Sequence, residues 1–293
     1  EQRQAGQGRR VANALAEGFN APQTAAQTEA ALTARRTADA ATNYGAARGS
    51  AGAGDVTPAI ARIDETLQPG ATRLANPQSN IADDSIESVL RRARGMLTDG
   101  RSQVSRFDEA FRVKLELDNM IDWARPTAQR LLIPVRNALD DQLAAASRPY
   151  AGARDQFREQ SREIGAVAEG RQASMRGRSE DTIPAFTAMQ PGQQAAYRVG
   201  YVDPLIESAQ TAAVGANKAR PLTSDAFEAE ARAMAPDADQ MQRRIGREVA
   251  VADDGVPEAR HRGIEEMETR YRRGPRRLGQ AGRGEQVAVE HVG

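Results

Sequence analysis

The chain of 293 residues contains no cysteine. Disulfides, thiolate catalysis and thiolate metal sites are therefore excluded. Aromatic residues make up 4% of the chain, with Trp123 as its single tryptophan. Much of the 40% apolar fraction is alanine, which buries little area, so the material for a core is thin. Lysine is nearly absent. Lys114 and Lys218 stand alone among arginines, a bias that fits GC-rich codon usage better than a phosphate-binding role. Neither charge sign is in excess, with forty basic and forty acidic residues, which argues against a general nucleic-acid or membrane coat. No apolar run approaches the ~20 residues of a membrane helix. The N-terminal Glu1-Gln2-Arg3-Gln4 carries no apolar segment, so no signal peptide is expected. An initiator methionine is also missing, as in a piece cut from a longer protein.

What is present is helical periodicity. The strongest block runs from Ser105 to Met175 and predicts three helices. The first carries Phe107, Phe111, Val113, Leu117 and Ile121 and is closed by Pro126; a box-like Ser105-Arg-Phe-Asp108 opens it. The second spans Leu131 to Ala146, with Leu132, Val135, Leu139 and Leu143 in phase and Pro134 in its first turn. The third starts at Tyr150 and carries Ala153, Phe157, Ile164 and Val167, weakened by Gly170. Upstream, Val11, Leu15 and Phe19 form a short stripe. Asn20 reads as the cap of an alanine-rich helix to about Arg48, in which only Leu32 and Tyr44 are large. Residues 45–54 read as a flexible linker. Ile60, Ile63 and Leu67 mark another helix, and Val89, Leu90 and Leu97 one more behind an acidic start at Asp83-Asp84. Downstream, Val199, Val202 and Leu205 are in phase around Pro204, where a kink or break is expected. Phe227, Ala231 and Met234, then Met241 and Ile245, complete the pattern. Beyond Gly246 the periodicity fades into Gly, Arg, Glu and Val, a mixture that reading a GC-rich gene out of frame also produces.

The expected fold is all-α: an elongated multi-helix bundle with a flexible N-terminal helix and a disordered C-terminal tail. The expected divisions are 1–54 (Ala-rich helix and Gly-rich linker), 55–180 (main bundle), 181–246 (second helical segment) and 247–293 (Arg/Gly-rich tail).

No constellation of catalytic residues emerges. His261 and His291 are far apart, and neither H-E-x-x-H nor G-x-S-x-G occurs. The acidic pairs Asp83-Asp84, Asp140-Asp141 and Asp253-Asp254 read as caps and solvated faces, because neighbours on a helix point about 100° apart. No catalytic, cofactor-binding or metal-ligating residue is assigned. Arg270, Arg272, Arg273, Arg276 and Arg277 could contact nucleic acid or an acidic partner, with only Tyr271 available for stacking. A solvated basic tail without a dedicated ligand is the favoured reading of that cluster.

A family resemblance rests on the helical blocks. Its residues are Phe107, Val113-Lys114, Leu117-Asp118, Met120-Ile121, Leu139-Asp140, Leu143, Pro149-Tyr150-Ala151, Ala153-Arg154, Ala166, Glu169-Gly170-Arg171, Tyr197-Arg198, Gly200 and Pro204-Leu205-Ile206. Over about residues 55–246 the chain resembles alanine-rich helical proteins of alphaproteobacterial phages and prophages, virion-associated or ejected. The resemblance implies a non-enzymatic structural or internal virion protein, located in the virion or the bacterial host cytoplasm. It would act on protein partners, self-association included, through helical faces, with no cofactor and no membrane span. A nucleic-acid-associated protein using the Arg-rich tail is the alternative, and a murein-degrading enzyme stands third. A basic stripe on folded helices would mark the former, and a buried carboxylate in a cleft the latter.

Overall fold

The computed structural model describes residues 6–50, 55–67, 86–98, 106–121, 126–211 and 216–253. Among these the fold is all-α, with eleven α-helices and one 3-10 turn at Arg220–Thr223. The helices are α1 (Gln7–Gly18), α2 (Ala25–Ser50), α3 (Thr57–Leu67), α4 (Ile86–Leu97), α5 (Phe107–Met120), α6 (Pro126–Ala146), α7 (Arg148–Arg176), α8 (Ser179–Thr187), α9 (Pro191–Thr211), α10 (Asp225–Met234) and α11 (Ala238–Asp253). The tail expected to be disordered lies outside the described residues beyond Asp253.

Among the described residues the buried apolar side chains gather in two cores. Core 1 gathers α1, the start of α2, the second half of α7 and α8–α11, around Leu15, Phe19, Val167, Tyr201, Met241 and Ile245. Core 2 gathers the end of α2, α3–α6 and the start of α7, around Ile63, Leu90, Leu117, Leu139 and Tyr150. The apolar stripes read from the sequence supply both. Leu132, Val135, Leu139 and Leu143 of α6 are all buried, as are Phe107, Phe111, Val113 and Leu117 of α5.

The two cores do not follow the expected divisions in sequence. The described part of 1–54 joins the rest: Val11, Leu15 and Phe19 are fully buried in core 1, and α1 packs on α9 and α11. The boundary at 180/181 cuts through core 1, because the second half of α7 lies against α9. The tail boundary at 247 falls inside α11, where Ala252 is buried and Val249 packs on core 1.

Local signals explain several further differences. Asn20 does not cap α2; it takes the left-handed conformation (φ 53) that ends α1, and Ala21 N–H reaches back to Ala16 O at 2.8 Å. Thr24 is the cap, in a reciprocal box: Thr24 N–H donates to Gln27 Oε1 and Gln27 N–H to Thr24 Oγ1, both at 3.2 Å. The helix then continues through Gly45 and Gly49 to Ser50, so most of the expected linker is helical. Pro126 does not end a helix but opens α6, which places Pro134 in the helix interior rather than its first turn. Pro204 likewise lies within a continuous α9. Ser105 and Asp83-Asp84 lie outside the described residues.

α7 is the axis of the molecule. Its 29 residues span roughly 43 Å, long enough to reach both cores. Ser147 opens it, accepting from Tyr150 N–H at 3.2 Å, and Gly177 closes it with a positive φ of 60. α2 runs antiparallel to α7: Arg36 meets Ser161, and Asn43 meets Gln156. α9 runs parallel to α7, with Gln193 at Glu159, Gly200 on Val167, and Arg171 paired with Asp203.

Candidate functional site

Four features outside routine helix packing merit a functional reading. The first is Asp140 on α6, 1% exposed. Its carboxylate accepts from the Tyr150 hydroxyl at 2.5 Å, from Arg158 Nη2 at 3.3 Å and from Arg154 Nη1 at 3.4 Å. Arg136, one turn before it, lies at 3.7 Å and also donates to Asp118 Oδ1 at 2.8 Å. Asp118 in turn holds Lys114 Nζ at 2.7 Å. The result is a continuous ion-pair chain that ties α5, α6 and α7 together. Burial, followed by the hydrogen bond to Asp140 and its charge, pushes the Tyr150 phenol far above its ordinary range. The sequence reading of Asp140-Asp141 as caps or solvated faces holds for exposed Asp141 and fails for Asp140. A buried, multiply bonded carboxylate of this kind is a latch, costly to break from one side.

The second is Glu230 on α10, 2% exposed within core 1. Its Oε2 accepts from the Tyr201 hydroxyl, and its Oε1 is buried without a hydrogen-bond partner. Burial, and then the hydrogen bond to Glu230, raise the Tyr201 phenol well above its ordinary value. The Tyr197 phenol is also raised, by burial first and then by the charges of Glu230 and Glu169. Glu230 sits three residues after Phe227 and four before Met234, on the apolar face of its helix. An acid on an apolar stripe is the signal in the sequence that could have found it.

The third is a cleft between α7, α8 and α9, lined by Glu169, Arg176, Arg178, Asp181, Thr182 and Tyr197 among others. It encloses about 190 Å³, below the ~300–1,000 Å³ of sites that bury a small-molecule ligand. Its arginines already have partners: Arg178 pairs with Asp181 at 3.4 Å and with neighbouring Glu180 at 3.3 Å, and Arg176 donates to the Gln172 amide oxygen at 2.9 Å. Glu230 does not line it.

The fourth is the contact between α2 and α7 midway between the cores. Asp39 accepts from Gln160 Nε2 at 2.6 Å and from Gln156 Nε2 at 3.2 Å. Asn43 Nδ2 donates to Gln156 Oε1 at 2.8 Å, and Arg36 Nη1 to Ser161 Oγ at 3.1 Å. The Arg36 guanidinium also lies 5.0 Å over the Phe157 ring. Phe157, expected in the apolar stripe of α7, is 36% exposed.

The candidate contact residues Arg270, Arg272, Arg273, Arg276 and Arg277 lie outside the described residues, as do His261 and His291. Among the described residues no group of three His, Asp or Glu side chains is placed to hold a metal ion, and no helix is long and apolar enough to cross a membrane. Compared with known proteins, the chain matches no family model, no curated protein and no solved structure.

Two expected results test the buried tyrosine–carboxylate pairs. Tyr201→Phe removes the hydrogen bond to Glu230 Oε2 and should cost about 1–3 kcal/mol in thermal or urea unfolding. Adding Glu230→Leu should recover most of that loss, because both polar partners are then gone. No loss in the single variant would show that Glu230 finds another donor. The second result concerns alkali. A tyrosine in an unfolded chain ionises near pH 10. Tyr150 and Tyr201 have raised folded values, so their contribution is complete below pH 10 and is lost as pH rises towards those values. The unfolding midpoint should therefore fall above about pH 10, less steeply in Tyr201→Phe. A midpoint independent of pH from 9 to 11, read alongside phenolate absorbance, would contradict this.

Proposed function

We propose that this chain is a non-enzymatic structural protein of virion type, internal or ejected, which works by presenting helical surfaces to protein partners. The observation that supports the reading best is the strut. α2 and α7, 26 and 29 residues long, run side by side and hold two separate cores at a distance. The most polar features fit this role. Asp140 and its arginines fasten three helices, and Glu230 is enclosed by core 1. The partner face of α2 is smooth: Ala30, Ala34, Ala38, Ala41 and Gly45 are exposed on the side away from α7.

The deciding experiment is mass spectrometry of particles purified after prophage induction in the source strain. Peptides of this chain at a fixed ratio to the major capsid protein support the reading. Their absence from intact particles, with the protein present in the lysate, sinks it. Salt-sensitive DNA binding by the full chain, lost on replacing Arg270, Arg272, Arg273, Arg276 and Arg277 by Gln, would favour the nucleic-acid alternative instead.

A further inference from the structure

Core 1 and core 2 have no buried side chain in common, and among the described elements only α2 and α7 contribute to both. On α7, the only buried residue between Ala153 and Ala166 is Gln160. Opposite it, α2 presents Arg36, Asp39 and Asn43, and the helices meet through the hydrogen bonds to Ser161, Gln160 and Gln156. Apolar continuity therefore stops at Phe157, which is partly open to water. Such polar contacts exchange for water at little net cost, whereas each core is a closed apolar cluster.

The strut is not shared equally. Gly170 and Gly200 bring the backbones of α7 and α9 into direct contact, which fixes α7 firmly to core 1. Core 2 holds the strut at its far end, through Tyr44, Ala47, Tyr150 and the arginines around Asp140. The alanine-rich α2 keeps its helical preference without core 2. We infer that the polar strut uncouples the two cores, so that core 2 opens while core 1 and the strut stay folded. The open form uncovers Tyr150, fully buried in the folded state, and joins it to the half-buried Tyr44 and the exposed Phe157 in one aromatic surface.

Hydrogen exchange of the full chain in sub-denaturing urea, read by mass spectrometry, tests this. The amides of α3, α5 and α6 should share one opening reaction, and those of α1, α9 and α11 a second, less frequent one. Leu139→Ala should speed exchange in the first set on the order of thirtyfold or more, the low end for a truncated buried leucine. The second set should stay within about twofold of wild type. If Leu139→Ala does not fold, Ile63→Val reads the same set with an effect of a few fold, and Ile245→Val serves as its counterpart in core 1. Equal acceleration of both sets by any of these variants, or one opening reaction for all helices, overturns the inference.

Discussion

Gly200→Ala and Gly170→Ala should each destabilise the protein by about 3 kcal/mol, at the upper end for overpacking. A β-carbon on Gly200 would collide with the Val167 carbonyl oxygen and lie 2.8 Å from its carbonyl carbon. One on Gly170 would collide with the Tyr197 carbonyl oxygen and lie 2.8 Å from Tyr201 N. These obstacles are backbone atoms, so no rotamer change relieves them, and the parallel helices must move apart. Gly165 on the same helix is the control. A β-carbon there would have nothing within 4 Å, so Gly165→Ala should stabilise by roughly 0.5–1 kcal/mol through helix preference alone. Urea midpoints of the three variants decide the matter. If Gly200→Ala behaves like Gly165→Ala, the helices are not in the close contact described.

Leu139→Ala is the second large effect, expected at about 2–5 kcal/mol. Leu139 is fully buried at the centre of core 2, on the helix that packs against α3 and α5. The surrounding frame limits collapse into the vacated space, because adjacent Asp140 is pinned by Tyr150 and two arginines. That places the expected loss in the upper half of the range. An unchanged unfolding midpoint would mean that this stripe does not face a packed core.

Much of the fold is legible in the sequence because the large apolar side chains recur at helical spacing. The stripes of α5 and α6 predict their buried faces nearly residue by residue. The contacts between those faces are less legible, and α1 shows why. Val11, Leu15 and Phe19 make only a short stripe, yet each is completely buried, because α9 and α11 close over them from far along the chain. Periodicity reports which face is covered but not by which partner. Glycine at position 170 carries the opposite sign from its intrinsic preference. By that preference it weakens a helix, whereas here it is the notch that admits α9. Residues 45–50 show the converse: glycines suggesting a linker lie in a helix that α7 supports. Asp140 and Glu230 are hard to find in advance because a single acid inside an apolar stripe looks like an interruption. Its meaning depends on Tyr150, Arg154 and Arg158 in one case and Tyr201 in the other, all supplied by another helix.

The direction in which α2 runs has an electrostatic consequence. α7 and α9 lie parallel in close contact, so their helix dipoles point the same way and repel side by side. α2 runs against both, which sets its positive end beside the negative ends of its neighbours. Asp203 of α9 sits at that junction, accepting from Ala25 N–H at 3.2 Å while Arg171 of α7 lies 3.5 Å away. A helix with almost no large side chains thus offsets, by its orientation, an unfavourable field that the glycine-notched pair creates.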